Sequence, residues 1–347
     1  MAPRQGEARK AQVYGQPMRI ALLGAGRIGL IHAANIHHHP RAKLHAVVDV
    51  NAASAKAAAE RYGAKASADV DAVLADPEVQ GVFICTSTDT HVELILKAAR
   101  RKLPIFCEKP IDLDLAKVDA CLEEVSRSGV PLVLGFNRRF DPNFRALREA
   151  VRRGEAGEVE IVKITSRDPA PPPVSYIRTS GGIFRDMMIH DLDMARFLLG
   201  EEPVEVFATG SCLVNPEIAE AGDIDTAMVI LKTRRGALCH IDNSRRAAYG
   251  YDQRIEVFGS KGMLQAANPT PTTVTRYTSE AVLSDKPYHF FLDRYPEAYR
   301  AELEHFLEVS TGGVAPLVTG RDGRAALVLA DAALQSLKLG KPVPIAL

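Results

Sequence analysis

A chain of 347 residues is too long for one typical hydrophobic core, and 46% hydrophobic residues suffice to build two. With 43 basic and 43 acidic side chains, it carries no net charge that would draw it to nucleic acid or an anionic membrane. Its five scattered cysteines never form a CxxC pair, and no apolar run approaches the roughly 20 residues that span a bilayer, so a reducing cytoplasm is expected.

Residues 1–17 are polar, lack the apolar segment of a secretory signal, and read as a mobile tail. Residues 19–23 (RIALL) form a short buried strand. Gly24-Ala25-Gly26-Arg27-Ile28-Gly29 follows at once, ahead of a helical stretch over 30–36. In this G-x-G-x-x-G the first glycine permits a tight turn, the second lets a pyrophosphate approach the backbone, and the third lets helix and strand pack closely. The free N–H groups at the helix start then face the phosphate. A second strand, 44–50, delivers Asp49 about 20 residues on, placed to accept hydrogen bonds from the adenosine ribose. Neither Arg nor Lys occurs in 49–53 to welcome a 2′-phosphate, which favours NAD over NADP.

The alternation continues with helices over 53–62 and 69–75, a strand over 81–86, a helix over 92–101, a strand over 104–107, a helix over 113–128 and a strand over 131–136. Strand and helix alternating on short links imply a parallel sheet covered on both faces. Ligands of such sheets bind beyond the carboxyl ends of the strands. Thr86, Ser87, Thr88, Glu108, Lys109, Asn137, Arg138 and Arg139 fall there. Pro110 keeps Lys109 extended, so its ammonium points to the ligand edge, where it can stabilise a forming alkoxide.

Asp141-Pro142 marks the domain boundary, and 144–153 is helical. Residues 158–166 alternate toward Arg167-Asp168-Pro169. The prolines that follow make 170–178 a stiff extended loop, either the wall of a pocket or a plain connector. Apolar residues at three- and four-residue steps make 181–200 an amphipathic helix, with Asp186, His190 and Asp193 along one edge. Carboxylate and imidazole on one helical edge suit proton transfer. Runs of strands over 204–213, 226–232, 237–243, 254–259 and 262–266 then imply an antiparallel sheet, before helices over 294–310 and 322–339. His37-His38-His39, with His32 and His45, shows no carboxylate or cysteine at ligand spacing, so no metal is expected.

GAGRIG, then EKP, then GFNRRFD, then D-x-x-x-H in a later helix, taken in this order, resemble the Gfo/Idh/MocA family over residues 18–340. The nearest branch is the inositol dehydrogenases, which carry a similar Tyr-Gly-Tyr-Asp at 249–252. The resemblance implies an α/β Rossmann domain over 18–141 and an α+β domain over 142–347 with a large, open, mostly antiparallel sheet. It further implies dimers or tetramers formed through that sheet, and a last helix packing back toward the first domain. The implied reaction is NAD-dependent oxidation of a secondary ring alcohol, with a polyol such as inositol as substrate and a site between the domains. His190 would be the general base, Asp186 its geometric partner, and Lys109 the support of the alkoxide. Gly24, Gly26, Arg27, Ile28, Gly29, Asp49, Thr86, Ser87, Thr88, His91, Glu108 and Lys109 would meet the cofactor. Lys109, Arg139, Asp168, Asp186, His190 and Tyr251 would meet the substrate. The family pattern is departed from at Asp168, where some inositol dehydrogenases have Asn, and at Ser166, where some have His. A shift to another isomer or sugar is the alternative, and a non-catalytic NAD sensor a further one.

Overall fold

In a computed structural model, residues 15–347 are described. The tail expected over 1–17 lies, up to residue 14, outside them. Two compact units form. The first runs through Gly135 and takes back Tyr299–Gly323, and the second is Phe136–Ala298 with Arg324–Leu347. The chain thus leaves the first unit six residues ahead of Asp141-Pro142, which instead opens a helix.

The first unit is a six-stranded parallel sheet in the order β3-β2-β1-β4-β5-β6. Its strands are β1 (Met18–Leu23), β2 (Ala42–Val48), β3 (Lys65–Ser67), β4 (Gly81–Ile84), β5 (Ile105–Glu108) and β6 (Leu132–Gly135). The short β3 is not expected from the sequence, because three residues, two of them exposed, carry no alternation to detect. Between the strands run α1 (Arg27–His38), α2 (Ala52–Tyr62), α3 (Val70–Ala75), α4 (His91–Arg100) and α5 (Leu115–Ser128). Three of these helices, α2, α3 and α5, start at a side-chain cap. Asn51 accepts from the N–H groups of Ala53 and Ser54, Asp69 from Ala72, and Asp114 from Ala116. Both α2 and α5 stop at a left-handed glycine, Gly63 and Gly129. Helix α4 buries His91, Leu94, Ile95, Ala98 and Ala99, the stripe that a 3.6-residue period dictates.

Aromatic rings weld this core. Phe83 on β4 stacks on Phe106 of β5 at 4.4 Å, and Phe306 meets Phe83 edge-on at 4.9 Å. All three are fully buried, each contributing about 1.5–3 kcal/mol of apolar burial. Phe306, Leu303 and Leu307 come from the returning segment, so the first unit's core is closed by residues about 170 positions past its last strand.

The second unit holds a seven-stranded sheet in the order β12-β11-β7-β10-β9-β8-β15, antiparallel except for the β7–β10 pair. It opens with α6 (Pro142–Arg152), β7 (Val159–Arg167), α7 (Val174–Ser180), α8 (Gly182–Asp186) and α9 (Ile189–Leu199). Then come β8 (Pro203–Ser211), α10 (Pro216–Glu220), β9 (Thr226–Thr233), β10 (Leu238–Ser244), β11 (Asp252–Gly259) and β12 (Gly262–Ala266). A separate two-stranded pair is formed by β13 (Thr275–Tyr277) and β14 (Val282–Ser284), and the edge strand β15 (Val343–Pro344) lies beside β8.

Two expectations change here. The prolines hold only the stretch before Val174 extended, and α7 begins directly after Pro173, because a proline ahead of a first turn withholds no helical hydrogen bond. The single helix expected over 181–200 is broken between α8 and α9. Helix α9 is buried on most sides, with Asp191 and Asp193 inside, so it is not amphipathic.

Candidate active site

The glycine motif makes a cradle. Gly24 sits at φ +98°, and a Cβ there would come 2.4 Å from the Cys85 carbonyl oxygen. A Cβ on Gly29 would come 2.0 Å from the Gly24 carbonyl oxygen, so turn, helix and β4 are in backbone contact. At Gly26 a Cβ would meet nothing, and this residue begins α1 with no side chain capping the helix. Arg27, Ile28 and Gly29 are therefore the first helical turn, at a helix start that no side chain of Gly26 caps. Asp49 accepts from the N–H of Ala25 at 2.7 Å and of Asn51 at 2.8 Å, fastening the end of β2 to the glycine turn. Each of its oxygens keeps a second lone pair for a ribose hydroxyl. The unfilled approach at Gly26 and the carboxylate beside it fit a dinucleotide.

Beyond β4, the hydroxyls of Thr86 and Thr90 lie 2.6 Å apart, and Thr90 donates to the Ser87 carbonyl, closing the turn that carries Ser87 and Thr88. Beyond β5 comes Lys109, half-buried at the sheet's carboxyl edge, with a cis peptide to Pro110. Two residues expected at the cofactor turn inward instead. Glu108 faces His32 at 2.8 Å, with Glu302 in the same buried cluster. His91 is 1% exposed, and both ring nitrogens face backbone carbonyls. The physical reason is position: each residue sits where a strand or helix buries its side chain, not on the turn.

In the second unit a polar cluster surrounds Asp186. Tyr176 of α7 donates to Asp186 Oδ1 at 2.9 Å, and Arg245 Nη2 stands 3.6 Å from Oδ2. Arg245 is 1% exposed and also stands 3.9 Å from Asp223. Asp168, one residue past β7, belongs to the same field. Burial pushes its carboxyl up to about 7, the Arg245 charge pulls it down, and Asp186 pushes it further up. His190, second residue of α9, is half-buried with its ring edge-to-face on Phe136 at 5.8 Å. The cluster thus offers a carboxyl that titrates near neutrality, a held carboxylate and an imidazole.

Other expected residues lie in buried pairs and networks. Arg139 grips Asp193 with two hydrogen bonds, 2.8 Å and 2.6 Å, both side chains buried. Arg139 is 6% exposed and Asp193 1%, so the pair lies inside the fold. Arg138 bonds Asp191 and reaches Ser166 at 3.1 Å, and Ser166 in turn meets Gln253. Ser166 is fully buried. Tyr251 is 6% exposed, edge-on to Tyr295 at 6.0 Å. The sequence reading missed Arg245 and Tyr176. Arg245 directly follows a strand end, as Lys109 does, but that position alone does not reveal the acids around it.

The consecutive histidines diverge as a helix demands: His37 faces the Tyr62 carbonyl, His38 that of Ala34, and His39 faces Glu304. His45 meets Asp76, and His32 meets Glu108, carboxylates too far along the chain for spacing to reveal.

Residues 18–136 match the oxidoreductase family with an NAD-binding Rossmann fold, and residues 144–265 match the GFO/IDH/MocA C-terminal domain. The myo-inositol 2-dehydrogenase of Thermotoga maritima is 50% identical over 94% of this chain and 98% of its own. The inositol 2-dehydrogenase of Rhizobium meliloti is 51% identical over 95% of this chain and 99% of its own. A crystal structure of scyllo-inositol dehydrogenase from Lactobacillus casei, with bound NAD(H) and scyllo-inositol, superposes with a TM-score of 0.89 at 28% identity, covering 95% and 99% of the two chains. A glycine cradle in one unit, a mostly antiparallel sheet in the other, and shared residues along nearly the whole length have one meaning: the chain belongs to the Gfo/Idh/MocA family of NAD-dependent oxidoreductases.

Proposed function

We propose that the chain oxidises the 2-hydroxyl of myo-inositol to the ketone with NAD, as a cytoplasmic step of inositol catabolism. The observation that carries this reading is the half-identity to the Thermotoga maritima myo-inositol 2-dehydrogenase across 94% of the chain. Bound at the glycine cradle, NAD supplies the hydride acceptor. Gly24, Gly26 and Gly29 admit its pyrophosphate, Asp49 takes the ribose, and Thr86, Ser87 and Thr88 line its path. The His190 imidazole takes the hydroxyl proton at a ring nitrogen. Asp186, steadied by Tyr176 and Arg245, orients the substrate or the imidazole. The Lys109 ammonium stabilises negative charge on the oxygen as the proton leaves. Asp168 receives or gives a hydrogen bond at a polyol hydroxyl according to its protonation. The cytoplasmic placement accords with five free cysteines, and among the described residues no helix is long and apolar enough to cross a membrane.

Assay of NADH formation with myo-inositol, scyllo-inositol, D-glucose and NADP tests this. Turnover on myo-inositol with NAD supports the reading. Preference for scyllo-inositol, the ligand of the Lactobacillus casei structure, moves the isomer and keeps the mechanism. NAD binding without any turnover leaves a sensor.

We also propose that the chain assembles as a dimer or tetramer through its second sheet. One sheet face exposes Ile161, Met228, Ile230, Leu238, Phe258 and Met263. Register places Ile161 opposite both Leu238 and Phe258, and Phe258 opposite Met263, so these four form a continuous row, while Ile230 and Met228 share the face opposite His240 and Asp242. Such a patch marks an interface. Ile230→Glu should lower the mass measured by light scattering to that of a smaller species, and an unchanged mass would exclude this face.

A further inference from the structure

The turn that carries Lys109 is held from the side by a histidine. His91, first residue of α4, is buried at 1% exposure. Its Nδ1 lies 2.7 Å from the Pro110 carbonyl oxygen and its Nε2 lies 3.1 Å from the Thr86 carbonyl oxygen. Pro110 follows Lys109 directly, and Thr86 opens the turn beyond β4. One ring therefore ties together the ends of two neighbouring strands, which pair as far as Ile84 and Cys107. Carbonyl oxygens only accept, so each contact calls for a ring N–H, and a neutral imidazole has one. Burial pulls the ring's proton affinity down, against the two carbonyls, Glu108 and Asp112, so the neutral form holds near pH 7. The shorter contact then assigns the N–H to Nδ1, facing Pro110.

We propose that His91 is a positioning residue for the oxidation, its Nδ1–H donated to the Pro110 carbonyl so that Lys109 leaves the turn toward the substrate. This rests on the reading of Lys109 as the support of the alkoxide. The pyrrolidine leaves Pro110 no N–H, so its carbonyl is the turn's one backbone handle at that residue, and the residue is buried away from water. Loss of the donor frees that carbonyl to rotate, and a displacement of about 1 Å at a reacting group can cost about 100-fold in rate. The ring's burial separates this role from a direct contact with the cofactor.

Two near-isosteres distinguish the two nitrogens. An asparagine amide N–H stands where Nδ1 stands, and a glutamine amide N–H stands where Nε2 stands. The full-length wild type, His91→Asn, His91→Gln and His91→Phe are compared for kcat and KM on myo-inositol, NAD affinity by calorimetry, and thermal melting as a check of folding. We expect His91→Gln and His91→Phe to lose at least about 10-fold in kcat while NAD affinity stays within about threefold, and His91→Asn to be restored to within about threefold of the wild type. Equal kcat for the Asn and Gln variants overturns the proposal, and this comparison stands even when His91→Phe fails to fold. NAD affinity falling in step with kcat also overturns it, placing the role at the Thr86 side. A wild type that binds NAD yet oxidises neither cyclitol nor sugar defeats the functional reading itself, a distinct result.

Discussion

Asp168→Asn should stabilise the protein at alkaline pH while impairing it as an enzyme. Asp168 is partly buried, and burial lifts its carboxyl from 3.8 to about 7 despite the nearby Arg245. At about 1.4 kcal/mol per unit, keeping this group ionised costs the folded chain on the order of 4 kcal/mol, an upper figure because solvent reaches part of the side chain. The folded value is raised, so the group's stabilising contribution is fully present below the unfolded value and drains away as pH rises through about 7. An amide has the shape of the protonated acid and never ionises. Thermal unfolding measured between about pH 4 and pH 9 should give the smallest difference between wild type and variant at the acid end, close to the unfolded value. A gap of several degrees favouring the variant should open at the alkaline end. The kcat/KM for myo-inositol should fall in the variant, and its alkaline pH dependence should flatten. Parallel melting curves across the whole range would refute the reasoning, since they would place the Asp168 proton outside it.

Lys109→Ala and His190→Ala should each cut turnover by more than about 100-fold with melting unchanged, and a variant keeping wild-type kcat removes that residue from the mechanism. Asp49→Ser should weaken NAD binding and admit NADP, and unchanged NAD affinity in calorimetry rejects the ribose assignment. Asp225 is buried, which raises its carboxyl, yet the N–H groups of Leu213, Asn215 and Val214 bring it down to about 2. Its stabilising effect is therefore present above the unfolded value and is lost as pH falls through about 2. Asp225→Ala should lower stability by about 2–3 kcal/mol in urea unfolding at neutral pH, because three N–H groups lose their acceptor.

The Rossmann half was legible because its signals are local. A glycine turn between strand and helix, an acid at the next strand's end, and period-3.6 stripes all lie within short windows. Asp49 shows the limit of such reading: its place beside the turn was foreseen, its two backbone N–H bonds were not. What escaped depends on distant partners. Asp193 looked like a site residue until Arg139, 54 positions away, claimed both its oxygens. Glu108 turned from the cofactor because His32 reaches it across 76 positions. Asp186 and His190 were placed on one helix by a spacing that cannot report the break at Met187 and Met188. Arg245 escaped because a buried arginine is defined by the acids that gather round it, here Asp186 and Asp223. The exposed apolar row of the second sheet was visible only once register set Ile161, Leu238, Phe258 and Met263, from four strands, side by side.

The most direct test of the central claim is transfer of label from myo-inositol carrying deuterium at carbon 2, in the presence of the purified chain and NAD. The account predicts deuterium in the reduced nicotinamide, none at the product's ketone carbon, and turnover slowed relative to the protiated substrate. Bound NAD with no label transferred from this or any other ring carbon would contradict it.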